Sequence, residues 1–309
     1  MNLPTGMALV TGANGFLGRH VVHRLIDLGI PVATMGRTES ASPGISRHIA
    51  VTDVGDAARV RQAISQIEPV MVFHLAGNSG NADHQEVFRV NTVYGANLLD
   101  AVAGLAHPPR VLLAGSAAEY GVVTEAALPL SETSCCQPAG PYGISKLAQT
   151  QYGLAAANAG LPVIVARLFN IVGHGMPLHL ALGSFADQIR AMPAHGGVLQ
   201  TGPLDRERDF VEASSTAEVL VDLINNPAAF GQIVNICSGQ PTSLRRYVEA
   251  LIAISGKSIK LASSARPHPR GDMLRHWGAN NRLRALGYRL PAADPVAIAQ
   301  ALTHLPAAR

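Results

Sequence analysis

V10-T-G-A-N-G-F-L-G18 joins an apolar run, Met7 to Thr11 (MALVT), to a segment with helical spacing, Phe16 to Leu28. Gly12, Gly15 and Gly18 occupy the junction. Glycines placed where a strand turns into a helix meet three demands: a tight turn, close approach of backbone to an anion, and close packing of helix on strand. The helix then opens with unsatisfied N–H groups and positive partial charge aimed at that anion. The stretch therefore reads as a strand–turn–helix unit that holds a dinucleotide pyrophosphate. A glycine triplet alone is a weak signal; this context makes it a specific one.

The same alternation continues downstream. Pro31 to Met35 and His48 to Val51 read as strands, Ala57 to Ile67 as a helix, and Val70 to Leu75 (VMVFHL) as a strand. A long helix is predicted over Gln85 to Ala106. A strand at Val111 to Ala114, a helix at Tyr142 to Ala159 and a strand at Pro162 to Arg167 follow. Strands alternating with helices predict an α/β fold, a Rossmann-type doubly wound parallel sheet covered on both faces. Beyond Asn170 the pattern becomes irregular, and Gln232 to Ile236 (QIVNI) is expected to return one strand to the sheet. The expected organisation is a dinucleotide-binding domain over 1–169, with a returning segment near 210–236. Residues 170–209 and 237–309 then form a smaller C-terminal substrate lobe.

Composition agrees with a packed chain. Hydrophobic residues make up 48% of the 309 and charged residues 15%, enough for a sizeable core. A net charge of +3 is too small to argue for nucleic-acid binding by bulk electrostatics. Cys135, Cys136 and Cys237 do not make a disulfide framework in so long a chain. The opening MNLPTGMALVTG shows no signal peptide, and no apolar run is long enough to cross a bilayer. A cytoplasmic protein without membrane attachment is the expectation.

The end of the second strand bears on which nicotinamide cofactor fits. An acidic residue there would bind the ribose 2′-hydroxyl of NAD. Here the chain reads Met35-Gly36-Arg37-Thr38, so Arg37, assisted by Arg19, is expected to pair with the 2′-phosphate of NADP, and NADP is favoured over NAD. Asp53, after the third strand, either contacts the adenine or caps the following turn. His174 and His179 lack partners at metal-ligand spacing, so no metal site is expected. His74 reads as structural.

G115-S-A-A-E-Y-G121 follows a predicted strand and sets Ser116 near the sheet end where ligands bind. P141-Y-G-I-S-K146 then places Tyr142 and Lys146 one helical turn apart on one face. A tyrosine near pKa 10 is poorly matched to proton transfer at neutral pH. An adjacent ammonium would stabilise its phenolate and lower that value. Glu119 is expected at a strand end, facing away from Ala118, as a surface-type polar residue or a catalytic one.

With Ser116 upstream of Tyr142-x-x-x-Lys146, the chain resembles the extended short-chain dehydrogenase/reductase superfamily. H74-L-A-G77, Asn91, R167-L-F-N170, R208-D-F210 and N235-I-C-S-G239 match in the same order over nearly the whole chain. The group most similar in pattern is the GDP-4-keto-6-deoxy-D-mannose reductases, through G115-S-A-A-E-Y-G121, P141-Y-G-I-S-K146 and V234-N-I-C-S-G239. Two departures are Ile171, where a histidine is frequent, and V211-E-A-S-S215 in place of an aspartate-rich run.

The resemblance implies catalysis by Ser116, Tyr142 and Lys146. It implies cofactor contacts from Gly12, Asn14, Gly15, Phe16, Leu17 and Gly18 of the turn. Further cofactor contacts are implied from Arg37, Asp53, Val54, Leu75, Ala76, Gly77, Asn91, Leu168, Tyr142 and Lys146. For a nucleoside-diphosphate sugar it implies Ser116, Ala117, Asn170, Arg208, Arg266 and Asp272. Arg206 reads as a solvated charge, while Arg270 and Arg275 belong either to a positive patch of the substrate lobe or to a solvated basic loop. Dehydratases of the superfamily carry acids at one or both of the positions held here by Ala117 and Ala118, which cannot move protons, so dehydration is disfavoured. The reading is NADPH-dependent reduction of a 4-keto-6-deoxy sugar nucleotide. The alternatives are an NAD-retaining 4-epimerase and a non-catalytic NADP-binding sensor. The resemblance also implies a homodimer through the two long helices.

Overall fold

Short apolar runs become strands because each is buried on both faces, and the helices between them cover those faces. A computed structural model describes residues 5–39, 42–79, 83–263 and 273–303. In chain order the first body contains β1 (Ala8–Thr11), α1 (Phe16–Asp27), β2 (Val32–Gly36), β3 (Arg47–Ala50), α2 (Ala57–Ile67) and β4 (Met71–His74). It continues with α3 (His84–Phe88), α4 (Tyr94–Ala103), β5 (Arg110–Ser116), α5 (Pro141–Asn158) and β6 (Val163–Leu168). The remainder holds β7 (Asn170–Val172), α6 (Ala181–Ala191), β8 (Gly197–Thr201), β9 (Glu207–Glu212), α7 (Ala213–Leu223) and β10 (Ile233–Ile236). Then come β11 (Pro241–Ser243), α8 (Leu244–Ser255), β12 (Ile259–Ser263), β13 (Arg275–His276), α9 (Asn281–Ala285) and α10 (Pro295–Thr303).

Seven strands form one sheet in the order β10-β6-β5-β4-β1-β2-β3, all parallel. The order reverses between β1 and β4, which is where such sheets open a crevice for ligands at their carboxyl ends. One face buries α1 and α7 against Val10, Phe73 and Ala166; the other buries α2 and α4 against Leu9, Val72 and Leu113. Leu283 and Leu290, late in the chain, also pack into the first of these cores. A separate core of Phe185, Ile189, Leu199, Phe210, Tyr247 and Leu251 builds the second lobe.

Two local expectations need correction. The helix predicted over Gln85 to Ala106 spans 84–103, and a π turn at Arg89–Val93 interrupts it. Its cause is visible: Asn91, inside that turn, is fully buried and satisfies both the N–H and the C=O of Asn78. Glu119 lies in a 3₁₀ turn, Ala117–Tyr120, rather than a strand, and is completely buried. Arg266, Asp272 and Arg270 lie outside the described residues.

The returning strand β10 is tied to the active-site side by Tyr120, whose buried hydroxyl donates to Asn235 Oδ1 at 2.7 Å. Tyr120→Phe strands that acceptor. Chemical denaturation should show a loss of about 1–3 kcal/mol, with the fold retained.

Candidate active site

Gly12 adopts φ +71°, and a Cβ there would lie 2.6 Å from Ala76 N. A Cβ on Gly18 would lie 2.0 Å from Gly12 O. The turn is thus backbone packed on backbone, against the loop after β4 on one side and against α1 on the other. Gly15 caps α1 without a side-chain hydrogen bond, so the first N–H groups of the helix remain available to an anion. Asn14 reaches across to Thr38 Oγ1 at 3.2 Å and Glu39 O at 3.2 Å, fixing the turn to the end of β2.

A cavity of about 240 Å³ opens over this turn, lined by Gly12, Asn14, Gly15, Arg37, Val54, Leu75, Ala76 and Gly77 among others. Its far end meets Thr38, His48, Glu86 and Arg89, none singled out by the sequence. Two guanidiniums line it. Arg89 is committed, donating to Glu86 at 2.7 and 3.0 Å and to Asp53 at 2.7 Å. Arg37 is exposed and makes no ion pair among the described residues. A glycine cradle that a Cβ would fill, a bare helix start and an uncommitted cation fit a phosphorylated dinucleotide.

A second cavity, about 560 Å³, adjoins it at the carboxyl end of β5 and β6. Ser116, Ala117, Ala118, Tyr142 and Leu168 line it from the first body; Asn170, Arg208, Phe210, Met273 and His276 line it from the second lobe. The two cavities share the loop after β4, Gly77 facing one and Ser79 the other.

Several expected contacts fall elsewhere. Arg19 donates to Gly175 O at 3.0 Å and does not line the dinucleotide cavity. Leu17 is core, and Phe16 and Leu168 line the second cavity. Asn91 is buried behind the site, holding Asn78 and donating to Ser145 Oγ at 3.0 Å. Of the two readings of Asp53, the structure shows the cap: its carboxylate accepts from Gly55 N at 2.9 Å and pairs with Arg89. Arg208 is held by the carbonyls of Glu207, Leu274 and Met273, while Asn170 donates to Asp209 O at 3.1 Å. Both still face the cavity.

Tyr142 and Ser116 line the same cavity. Burial pushes the phenol above the usual tyrosine range, hydrogen bonding toward Ser116 pulls back, and the charge of Glu119 adds to the rise. The lowering expected from Lys146 is therefore not what the structure shows. Lys146 is itself 3% exposed and donates from Nζ to Ala114 O and Gln149 Oε1, each at 2.9 Å. Burial lowers it to about 8, against an upward pull from Glu119. A Cβ on Gly77 would lie 3.4 Å from Lys146 Nζ, so the ammonium stands directly behind the dinucleotide cavity.

Two histidines are held neutral. His74, hydrogen-bonded to Thr11 Oγ1 at 2.8 Å, is lowered to about 3 by burial and by Lys146. His276 is lowered to about 4 by burial and by Arg208.

A Ser, a Tyr and a Lys at the carboxyl edge of a parallel sheet, beside a cavity built on a glycine turn, are the arrangement that the resemblance to short-chain dehydrogenases/reductases implies. The sequence pattern of the NAD dependent epimerase/dehydratase family matches residues 8–237, and the chain belongs to that family. It is similar to dTDP-6-deoxy-L-talose 4-dehydrogenase (NAD(P)(+)) of Kitasatospora kifunensis, 30% identical over 85% of this chain and 83% of the relative. It is also similar to GDP-6-deoxy-D-mannose reductase of Pseudomonas aeruginosa, 29% identical over 90% of each. The structure of RMD from Pseudomonas aeruginosa complexed with NADPH superposes with a TM-score of 0.82, 27% identity and coverage of 97% of this chain and 98% of that one. The chain is thus an enzyme of the extended short-chain dehydrogenase/reductase type.

Because both histidines have folded-state values below the ordinary 6.5, the unfolded chain binds more protons as pH falls. Stability should be intact above pH 6.5 and decline from there toward about 4. The slope should reach up to about 1.4 kcal/mol per pH unit for each histidine. His74→Asn should flatten this decline in a series of denaturation curves.

Proposed function

We propose that the enzyme reduces the 4-keto group of a nucleotide-linked 4-keto-6-deoxy sugar at the expense of NADPH. The observation that carries this reading is Ser116 and Tyr142 together on the wall of a roomy second cavity, next to Ala117 and Ala118. Those alanines offer no acid or base for removing water. Two relatives support the sugar: one is named for oxidoreduction at position 4 of a dTDP-6-deoxy sugar, the other as a reductase of a GDP-6-deoxy sugar. Arg37, exposed at the edge of the dinucleotide cavity, supports NADP over NAD, because a guanidinium offers bidentate donors to a 2′-phosphate.

When bound, the reduced nicotinamide supplies hydride to the carbonyl carbon. Tyr142 gives its phenolic proton to the carbonyl oxygen, and Ser116 donates a hydrogen bond to that oxygen, so a ketone leaves as an alcohol. A phenol held protonated by burial is in the form that reduction requires. Lys146, charged at neutral pH, stands behind Gly77 of the dinucleotide cavity and would favour the phenolate once the proton has left. Arg208 and Asn170 face the same cavity from the second lobe and would hold the diphosphate.

A cytoplasmic location belongs to the same proposal; among the described residues no helix is long and apolar enough to cross a membrane. Val93 and Ile144, exposed on the π turn and α5, support a homodimer through those helices.

Incubation with NADPH and a panel of 4-keto sugar nucleotides should consume NADPH stoichiometrically. Turnover without added cofactor would instead make it an NAD-retaining epimerase, and binding without turnover a sensor. Tyr142→Phe should lower turnover at least a thousandfold, about 4 kcal/mol, with NADPH still bound by fluorescence titration. Arg37→Ser should raise the KM for NADPH roughly tenfold or more, about 1.4 kcal/mol, and leave that for NADH nearly unchanged.

A further inference from the structure

Glu119 and Arg167 form an ion pair at the heart of the site with side chains 0% and 1% exposed. Arg167 Nε and Nη2 donate to Glu119 Oε2 at 3.1 and 2.8 Å. The other oxygen, Oε1, accepts from Ser116 N at 2.7 Å. Ser116 Oγ in return accepts from Ala118 N at 3.2 Å, so the residue proposed to hold the ketone is locked at both its backbone and its side chain. The fit is tight: a Cβ on Gly115 would lie 2.7 Å from Glu119 Oε1. Arg167 in turn sits over the Tyr120 ring, 4.6 Å from Cζ to centroid.

Burying an ion pair is expensive, and hydrophobic residues of similar volume would often serve the fold as well. Neither side chain lines either cavity. What the pair does offer is a carboxylate fixed beside Ser116, its charge offset on the far oxygen by the Arg167 guanidinium. The groups facing Lys146 are Ala114 O from β5, Gln149 from its own helix, His74 from β4 and Glu119 from the 3₁₀ turn. His74 is neutral, so Glu119 is the carboxylate among them.

We propose that Glu119, braced by Arg167, is a positioning residue for the reaction: it fixes Ser116 through its backbone N–H and sets a carboxylate two residues along β5 from the carbonyl that holds the Lys146 amine. This rests on the reductase reading for its catalytic consequence, but not for its electrostatic one. The sign is fixed by the geometry. Burial favours the neutral amine, and Glu119 opposes it. Without the carboxylate, the amine loses its proton at lower pH.

The test exploits an uncommon composition. The chain has only three lysines, Lys146, Lys257 and Lys260. In protein labelled with ¹³C-lysine, the ε-carbon signal of Lys146 is identified by its loss in Lys146→Arg. In the wild-type chain it should titrate near 8. In Glu119→Gln the midpoint should fall by about one unit. Because that variant leaves Arg167 charged and unpaired, Glu119→Gln with Arg167→Met removes both charges and should fold with the midpoint still lowered, by less than in the single variant because the guanidinium no longer repels the amine. In parallel, the alkaline limb of the pH–rate profile with NADPH and a 4-keto sugar nucleotide should move to lower pH. An unmoved Lys146 midpoint in the folded double variant, or a wild-type rate at every pH, would overturn the proposal. A shifted midpoint in an enzyme that turns over none of the panel would sink the reductase reading and leave the electrostatic role standing.

Discussion

Backbone laid directly on backbone is the constraint from which the rest of this molecule follows. Gly12 turns against the loop after β4, and Gly18 lets α1 come within contact of Gly12. Any side chain at either place would occupy space already filled by main-chain atoms. Close packing here brings the start of α1 to the point where the strand order reverses. An anion-binding helix end and the mouth of the sheet therefore coincide. Both cavities open from that junction, and the loop after β4 is their common wall.

Buried polar groups carry the second half of the architecture. Glu119, Arg167, Tyr120 and Asn235 form a chain of contacts from β5 through β6 to β10. Asn235 continues it by donating to Leu130 O at 2.9 Å. In the lobe beyond, Asp209 accepts from Ser238 N, Ser238 Oγ and Gly239 N. The R-D-F and N-x-C-S-G segments are thus joined to each other, while Arg208 alone of the three R-D-F polar and aromatic neighbours holds itself to the 273–274 backbone. Buried polar groups need partners, and these meet the need nearly throughout, Arg167 Nη1 being left without one. That requirement gives the motifs a structural task alongside any contact with ligand.

Much of the first body was legible because its signals are local. The Ala57–Ile67 helix is announced by Asp56, whose carboxylate accepts from Ala58 N and Arg59 N, and by buried residues at helical spacing. The seven strands of the sheet were each marked by an apolar run, and Ile233–Ile236 pairs with β6 as its composition suggested. The π turn was not legible, since it exists to bury Asn91 against Asn78 and Ser145, 13 and 54 residues away. Nor was the fate of Asp53, decided by Arg89 thirty-six positions on. His276 enters the second cavity from a two-residue strand paired with β9, a placement no periodicity announces.

The sequence by itself determined the order of strands and helices, the glycine turn, and the identity of the Ser, Tyr and Lys brought to one sheet edge. These rest on neighbours a few residues apart, where spacing and backbone freedom decide the outcome. Only the tertiary structure decided the charge state of that site. Whether Lys146 keeps its proton and Tyr142 holds its own depends on how deeply each is buried and on Glu119, and burial and charge act through space from elements the chain visits far apart.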